Sequence, residues 1–326
     1  MSVEGKVLVT GGAGFIGSHL IDNLLENGKV VVCYDNFSRY YSGKELNVRR
    51  HSDNPNYHLV RADVLDFESL SQATKDVEVI YHLAAQPGVR YSIEHPLEVT
   101  QINVCGTTNV LEAARRRKVT KIVYVSSSSV YGNPELMPVK EDQPLRPISP
   151  YGASKLAGEK FCETYVRLYD MDIVMLRYFT VYGPGQRPDM AMRKFVTQIL
   201  ENRPPIIYGD GTQMRDFTYV DDIVAGTIAA AECKGNAGEA FNLGGGHRIT
   251  INDLVQRLLK LCGKEREIQP GYEPAKLGDV ENTHADIAKA NHALRYNPST
   301  DLDQGLMGFT QWCAHTSRPS DLQPKH

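Results

Sequence analysis

The sequence predicts a doubly wound α/β fold: a parallel sheet with helices on both faces, followed by a smaller C-terminal α/β domain. Three observations predict it. Short apolar runs of strand character alternate with helix-like runs through the first half of the chain. A glycine-rich loop joins the first strand to the first helix. Acids and small residues stand where strands end, the edge at which open parallel sheets bind ligands.

The elements follow in order. Lys6 to Thr10 is a short apolar strand, Gly11-Gly-Ala-Gly-Phe-Ile-Gly17 is the loop, and Ser18 to Glu26 has helical periodicity. Gly11, Gly14 and Gly17 would let the backbone approach a pyrophosphate, with Phe15 and Ile16 at a helix N-terminus that offers free N–H groups. Val30 to Tyr34 is the second strand, ending at Asp35 and Asn36. An acid about 20 residues past such a loop suits the 2′-hydroxyl of an adenosine ribose and repels a 2′-phosphate. The expected cofactor is therefore NAD rather than NADP, with Arg39 the nearby residue that argues the other way.

Tyr57 to Arg61 ends near Asp63 and Val64, and Glu78 to Leu83 runs into Ala84-Ala85. Pro96 to Arg117 carries a long helix pattern. Thr120 to Val125 and Asp172 to Arg177 are further strands, the first leading into the serines Ser126 to Ser129. Asp63 also suits a helix N-cap, and the cluster Arg115 to Lys118 suits a helix C-terminus. Thr250 to Leu261 reads as a helix capped by Thr250 or Asn252. The polar, proline-containing end from Ser317 is expected to fray.

The 326 residues suffice for one large α/β domain or two smaller ones. A content of 41% hydrophobic and 23% charged residues is that of a globular protein. The net charge of -3 gives no bulk attraction to nucleic acid or acidic lipid, so an anionic ligand needs local basic groups. Six cysteines without a Cys-x-x-Cys pair indicate neither zinc nor a disulfide framework, and suit a reducing cytoplasm. No signal segment and no apolar run of membrane-spanning length is read, so a cytoplasmic protein without metal or membrane partner is expected.

Tyr151 and Lys155, in Tyr-Gly-Ala-Ser-Lys, would lie one turn apart on a helix face. A free tyrosine has a pKa of about 10. A nearby ammonium favours its phenolate, so Lys155 is expected to lower the Tyr151 pKa until it can take a proton from a sugar hydroxyl. Taken alone, the pair fits a solvated helix face as well.

Together with Tyr151 to Lys155 and the glycine loop, three further segments carry a resemblance. They are His82-Leu-Ala-Ala85, Ser126-Ser-Ser-Ser-Val-Tyr-Gly132 and Arg215-Asp-Phe-Thr-Tyr-Val-Asp-Asp222. The chain resembles the extended short-chain dehydrogenase/reductase superfamily, in its nucleotide-sugar epimerase and dehydratase branch, from Gly11 to about Tyr296. The resemblance implies a Rossmann-type NAD-binding domain over 1–178, to which the chain returns for parts of 215–250. It implies a mainly nucleotide-sugar-binding domain over 179–316 and a frayed tail over 317–326. Tyr151 is implied as catalytic base, Lys155 as its pKa partner and a nicotinamide-ribose ligand, and Ser127 as catalytic serine with Ser128 the alternative register. Tightly bound NAD would contact Gly11, Gly14, Phe15, Ile16, Gly17, Asp35, Asn36, Asp63, Val64, Leu83, Ala84 and Ala85, with Asn103 bracing that site. Arg215 is implied at the diphosphate and Asp279 near the nucleoside ribose of a UDP-sugar. Lys276 stands where relatives often carry arginine. Relatives imply a homodimer, through helices over roughly 96–117 and 150–169 packed as an intersubunit four-helix bundle.

Dehydratases and sugar-acid decarboxylases usually carry an acid two residues before the Val-Tyr-Gly tyrosine, and dehydratases often an Asp before that. Here Ser129 and Ser128 stand there, and without a carboxyl to drive elimination the reading is epimerase. The segments from His82 to Ser92 and from Arg177 to Ala191 are similar to the UDP-glucuronate 4-epimerase group. Ser128, Ser129, Thr180 and Arg187 would ring a C6 carboxylate, with Arg90 a further substrate contact. Holding that carboxylate out of line with a 4-keto group would protect the β-keto acid from losing CO2. Gly185 departs from the arginine or bulky residue more usual there. The alternatives are a UDP-glucose or UDP-N-acetylglucosamine 4-epimerase, a UDP-glucuronate decarboxylase, or a non-catalytic NAD-binding regulator.

Overall fold

A computed structural model describes residues 5–276, 278, 280 and 282–316. The strands are β1 (Lys6–Thr10), β2 (Val30–Asp35), β3 (Tyr57–Arg61), β4 (Val77–His82), β5 (Lys121–Ser127), β6 (Ile173–Tyr178), β7 (Thr180–Tyr182), β8 (Ile206–Tyr208), β9 (Met214–Tyr219), β10 (Ala240–Leu243), β11 (His247–Thr250) and β12 (Gly271–Glu273). One parallel sheet runs β10-β6-β5-β4-β1-β2-β3. This is the doubly wound arrangement, with β10 added beside β6. The strand order reverses between β1 and β4, which pair up to Thr10 opposite His82. A crevice opens past that pair because the chain leaves the two strands toward opposite faces.

These strands are apolar runs rather than alternating ones, because helices cover both faces. On one face Val7, Val9, Val31 and Cys33 pack with Leu20, Ile21 and Leu24 of the Phe15–Glu26 helix and with Ile223 and Val224 of the Val220–Glu232 helix. On the other, Leu8, Val32, Ile80 and Ile122 pack with Val110 and Leu111 of the Gly106–Arg117 helix and Cys162 of the Pro150–Tyr169 helix. A separate core joins β7, β9 and β11 to the helices Ala191–Leu200, Ile251–Leu261 and Leu302–Thr316. After β9 the chain rejoins the large sheet through the Val220–Glu232 helix and β10, and again through the Ala288–Leu294 helix, whose Ala290 and Leu294 enter the first core.

Local signals set the helix ends. Ser149 caps the Pro150–Tyr169 helix by accepting from the Gly152 N–H at 3.1 Å, with Pro150 at the first helical position. Thr250, rather than Asn252, caps the Ile251–Leu261 helix by accepting from the Asp253 N–H at 3.0 Å. The long helix expected from Pro96 to Arg117 is not uniform. It is α-helical over Pro96–Thr100, π-helical over Gln101–Cys105 and α-helical over Gly106–Arg117. The wide turn accompanies Asn103, a buried amide whose bonds to Gln86 and Ser154 lie outside the helix.

Candidate active site

A cavity of about 650 Å³ lies at the carboxyl ends of the large sheet, between it and the smaller unit. Gly11, Gly14, Phe15, Ile16, Gly17, Asp35, Asn36, Val64, Leu83, Ala84 and Ala85 line one part. Ser127, Ser128, Ser129, Tyr151, Lys155, Thr180 and Arg187 line the middle, and Arg90 and Arg215 stand in the wall as well. Asp63, Asn103 and Lys276 are expected site residues that do not line it. Asp279 and the tail 317–326 lie outside the described residues.

The glycine loop fits a pyrophosphate. A Cβ at Gly17 would stand 2.3 Å from the Gly11 carbonyl oxygen, and Gly11 has φ of 71° with the Ala84 backbone nitrogen 2.7 Å from where its Cβ would be. The Phe15–Glu26 helix starts without a side-chain cap or an acid in its first turn, so its N–H groups remain available to an anion. The Asp35 carboxylate accepts from Ala13 N at 3.1 Å and Phe37 N at 2.8 Å. Lys44 lies 3.7 Å from it, while Arg39 is exposed. The cation nearest the expected ribose site is therefore Lys44, which sequence reading missed. Asp63 instead accepts from Leu65 N and from the Asn36 amide at 2.7 Å, so it supports the wall from behind.

Asn103 is likewise a brace. Its oxygen accepts from Gln86 N at 2.7 Å, and its amide donates to Gln86 O at 3.1 Å and to Ser154 Oγ at 2.9 Å. Ser154 Oγ in turn donates to the Tyr151 carbonyl at 2.8 Å. The strand-end loop after Ala85 is thereby tied to the helix that carries Tyr151 and Lys155. His82 is locked beside it: Thr107 Oγ donates to Asn103 O, so it accepts from His82 Nε2 at 2.9 Å, and His82 Nδ1 accepts from Thr10 Oγ at 2.7 Å. Burial and Lys155 push His82 down to about 3, and it stays neutral.

The serines divide by face. Ser126 Oγ donates to buried Glu159 at 2.5 Å, away from the cavity chemistry. Ser127 Oγ donates to Ser129 Oγ at 3.1 Å, and the Ser127 side chain favours the Tyr151 phenolate. Alternation along β5 thus puts Ser127, not Ser126, against the phenol.

One expectation needs correcting. Burial raises the Tyr151 pKa above its ordinary value, opposed by the charge of Arg187 and by the Ser127 hydrogen bond. Lys155 is not among these influences. Its ammonium donates to Val125 O at 2.9 Å and lies over the Tyr124 ring, 5.3 Å from the centroid. Desolvation lowers its own pKa to about 8. Two groups taken out of water together each lose part of their charged form, and the sequence spacing carries no measure of that cost.

Arg187 has a partner that was not anticipated. Its Nε donates to Asp189 Oδ1 at 2.9 Å and its Nη2 to Asp189 Oδ2 at 3.0 Å. The acid two residues on in Arg187-Pro-Asp189 was the available signal. Toward the smaller unit, Arg90 and Lys276 both lie 4.8 Å from the centroid of the Tyr208 ring, which lines the cavity. Arg215 donates to Met214 O and Val280 O. Among the described residues no group of three His, Cys, Asp or Glu could hold a metal ion, and no helix is long and apolar enough to cross a membrane.

A parallel sheet reversing at a glycine loop, with a Tyr–Lys helix at the crevice, defines an NAD-dependent class of enzyme. Residues 7–244 match the model of the NAD dependent epimerase/dehydratase family, and the chain belongs to that family. NAD is the cofactor of the family, and the glycine cradle fits it. The chain is 40% identical over 316 residues to a UDP-glucuronate 4-epimerase of Thermodesulfobacterium geofontis, covering 94% of this chain and 96% of that one. It is 39% identical over 317 residues to a putative UDP-glucose 4-epimerase of Methanocaldococcus jannaschii, covering 96% and 99%. The crystal structure of UDP-glucuronic acid 4-epimerase from Bacillus cereus, in complex with UDP-glucuronic acid and NAD, aligns with a TM-score of 0.91 at 42% identity, covering 95% of this chain and 99% of that chain.

Proposed function

We propose that this protein interconverts UDP-glucuronate and UDP-galacturonate by inverting C4. The observation that carries the reading is one juxtaposition: Ser127, Tyr151 and Arg187 line the same cavity wall, and both Ser127 and Arg187 favour the Tyr151 phenolate. C6 is two bonds from C4, so a cation that reaches the base at C4 also reaches a C6 carboxylate.

In this scheme Tyr151 takes the C4 hydroxyl proton and later returns it. Ser127 donates a hydrogen bond to the same oxygen, a contact worth roughly 3 kcal/mol in a transition state. Lys155 fixes the geometry through Val125 O and keeps positive charge beside the site below about pH 8. NAD, when bound, supplies the hydride acceptor and donor for C4. The glycine loop and Asp35 would hold its pyrophosphate and adenosine ribose, and Arg90, Tyr208 and Arg215 would hold the UDP portion. Between the two proton transfers the 4-keto sugar turns its other face to the same residues. Ser128, Ser129, Thr180 and Arg187 keep its carboxylate out of line for CO2 loss.

The same reading assigns the large sheet to NAD and the smaller unit mainly to the nucleotide sugar. It also includes a homodimer. Leu97, Phe161, Leu168 and Tyr169 are exposed apolar side chains on the Pro96–Thr100 and Pro150–Tyr169 helices, the stretches expected to form an intersubunit four-helix bundle. Six free cysteines fit a reducing cytoplasm.

The test is NMR product analysis after separate incubation with UDP-glucuronate, UDP-glucose and UDP-N-acetylglucosamine. C4 inversion of the first without gas release is expected; UDP-xylose and CO2 would mean decarboxylation. Tyr151→Phe should abolish turnover with folding and NAD binding retained.

A further inference from the structure

The guanidinium of Arg187 is held at two points by a carboxylate of its own chain. Nε and Nη2 donate to the two oxygens of Asp189 at 2.9 and 3.0 Å. Asp189 is itself fixed, because the Tyr40 hydroxyl donates to its Oδ2 at 3.0 Å. All three residues line the cavity. The Arg187 and Asp189 side chains are only 19% and 34% exposed, so solvent screens them weakly. Arg187 Nη1 has no hydrogen-bond partner among the described residues. The pair carries no net charge, although Arg187 alone would present a full positive charge to a sugar. The fork also fixes the guanidinium plane and leaves one edge open.

We propose that Asp189 sets the charge selectivity of the sugar pocket, holding Arg187 as a neutral two-point pair so that the C6 group of the sugar meets one open guanidinium edge rather than a free cation. The proposal rests on the assignment of Arg187 to the C6 group. Such an edge bonds a C6 carboxylate with charge assistance, while the neighbouring Asp189 charge opposes that same carboxylate. A neutral C6 hydroxymethyl feels neither effect strongly. Asp189 therefore narrows the preference for the acid sugar over its neutral counterpart. Tyr40 anchors this device from the loop after β2, 149 positions away in the chain. Asp189 is a positioning residue, since it acts on the sugar through Arg187 and through its own charge.

The experiment is steady-state kinetics of the NAD-loaded enzyme and its Asp189→Asn variant on UDP-glucuronate and UDP-glucose. Asparagine keeps the shape and removes the charge. The ratio of kcat/KM for the acid sugar over the neutral one should rise about tenfold, mostly through a lower KM for UDP-glucuronate. Tyr40→Phe should move the ratio the same way by about twofold to threefold, and Asp189→Glu should return it toward wild type. A ratio unchanged within about twofold in Asp189→Asn, with both sugars impaired alike, would reduce Asp189 to a structural support and overturn the proposal. Wild-type enzyme that inverts UDP-glucose and not UDP-glucuronate would instead refute the sugar assignment, and the proposal with it. Thermal melting of each variant confirms that the kinetics report on folded protein.

Discussion

Arg177 and Arg187 each grip a carboxylate through Nε and Nη2, yet they stand in opposite situations. Arg177 holds Glu159 at 3.0 and 2.8 Å with both side chains at 5% exposure or less, and its Nη1 donates to Tyr131 Oη and Glu141 O. Each of its three nitrogens has a partner inside the protein. Arg187 holds Asp189 with the same fork at the cavity wall and leaves Nη1 open. A closed fork of this kind can only hold elements together: Arg177 on β6 and Glu159 on the Pro150–Tyr169 helix. A fork with one open edge can also recognise something else. Chemical identity of the pair therefore says little about role; the count of unused donors and what they border says more.

The largest expected effect breaks the closed pair. Glu159→Ala strands a buried guanidinium and should cost about 3–5 kcal/mol in chemical denaturation, against about 1–2 kcal/mol for Asp189→Ala, whose partner is only partly buried. Equal losses in the two variants would erase the distinction. Lys155 extends the comparison to a buried cation with no carboxylate fork. Its folded-state pKa is lowered from 10.5 to about 8, so burial penalises its charged form. Between those values the unfolded chain binds the extra proton, and the contribution of Lys155 to stability rises with pH, by about 3 kcal/mol at most. Lys155→Met should flatten that rise in denaturation midpoints of ligand-free protein taken from pH 7.5 to pH 10.5. Arg187→Ala should lower kcat/KM for UDP-glucuronate by about tenfold to a hundredfold, leave UDP-glucose much less affected, and shift stability little. Equal losses on both sugars would refute its contact with a carboxylate. The smallest effect is Tyr131→Phe, which removes an acceptor from Arg177 and a donor to Asn242 Oδ1 and should cost about 1 kcal/mol by the same denaturation assay.

What could be read from the sequence was what is local in it. The strand–glycine loop–helix at Gly11 to Gly17 and the strand ending at Asp35 each sit within one short window, and windows reveal periodicity and turn chemistry. Ser127 faces Tyr151 because strands alternate, a rule that needs only the register of β5. The sequence could not show Tyr40 reaching Asp189, nor Asn103 reaching Gln86 and Ser154, because those bonds join positions far apart in the chain. Lys44 beside Asp35 escaped notice because the two lie on either side of an irregular loop without period. The direction of the Tyr151 pKa failed for another reason. Spacing places a cation near a phenol but gives neither the desolvation of both nor the Val125 carbonyl that holds the cation.

The π-helical turn at Gln101–Cys105 has a consequence for how this segment tolerates insertions and deletions. A π turn is an α-helix with one residue added. Deleting one residue there would restore a regular helix and leave the Pro96–Thr100 and Gly106–Arg117 portions facing as they do now, because the wide turn absorbs its extra residue within one turn. Exposed Leu97 would keep its present face, while the Asn103 amide would lose its aim at Gln86. A single codon lost from this stretch would therefore disturb the inner brace and spare the outer surface.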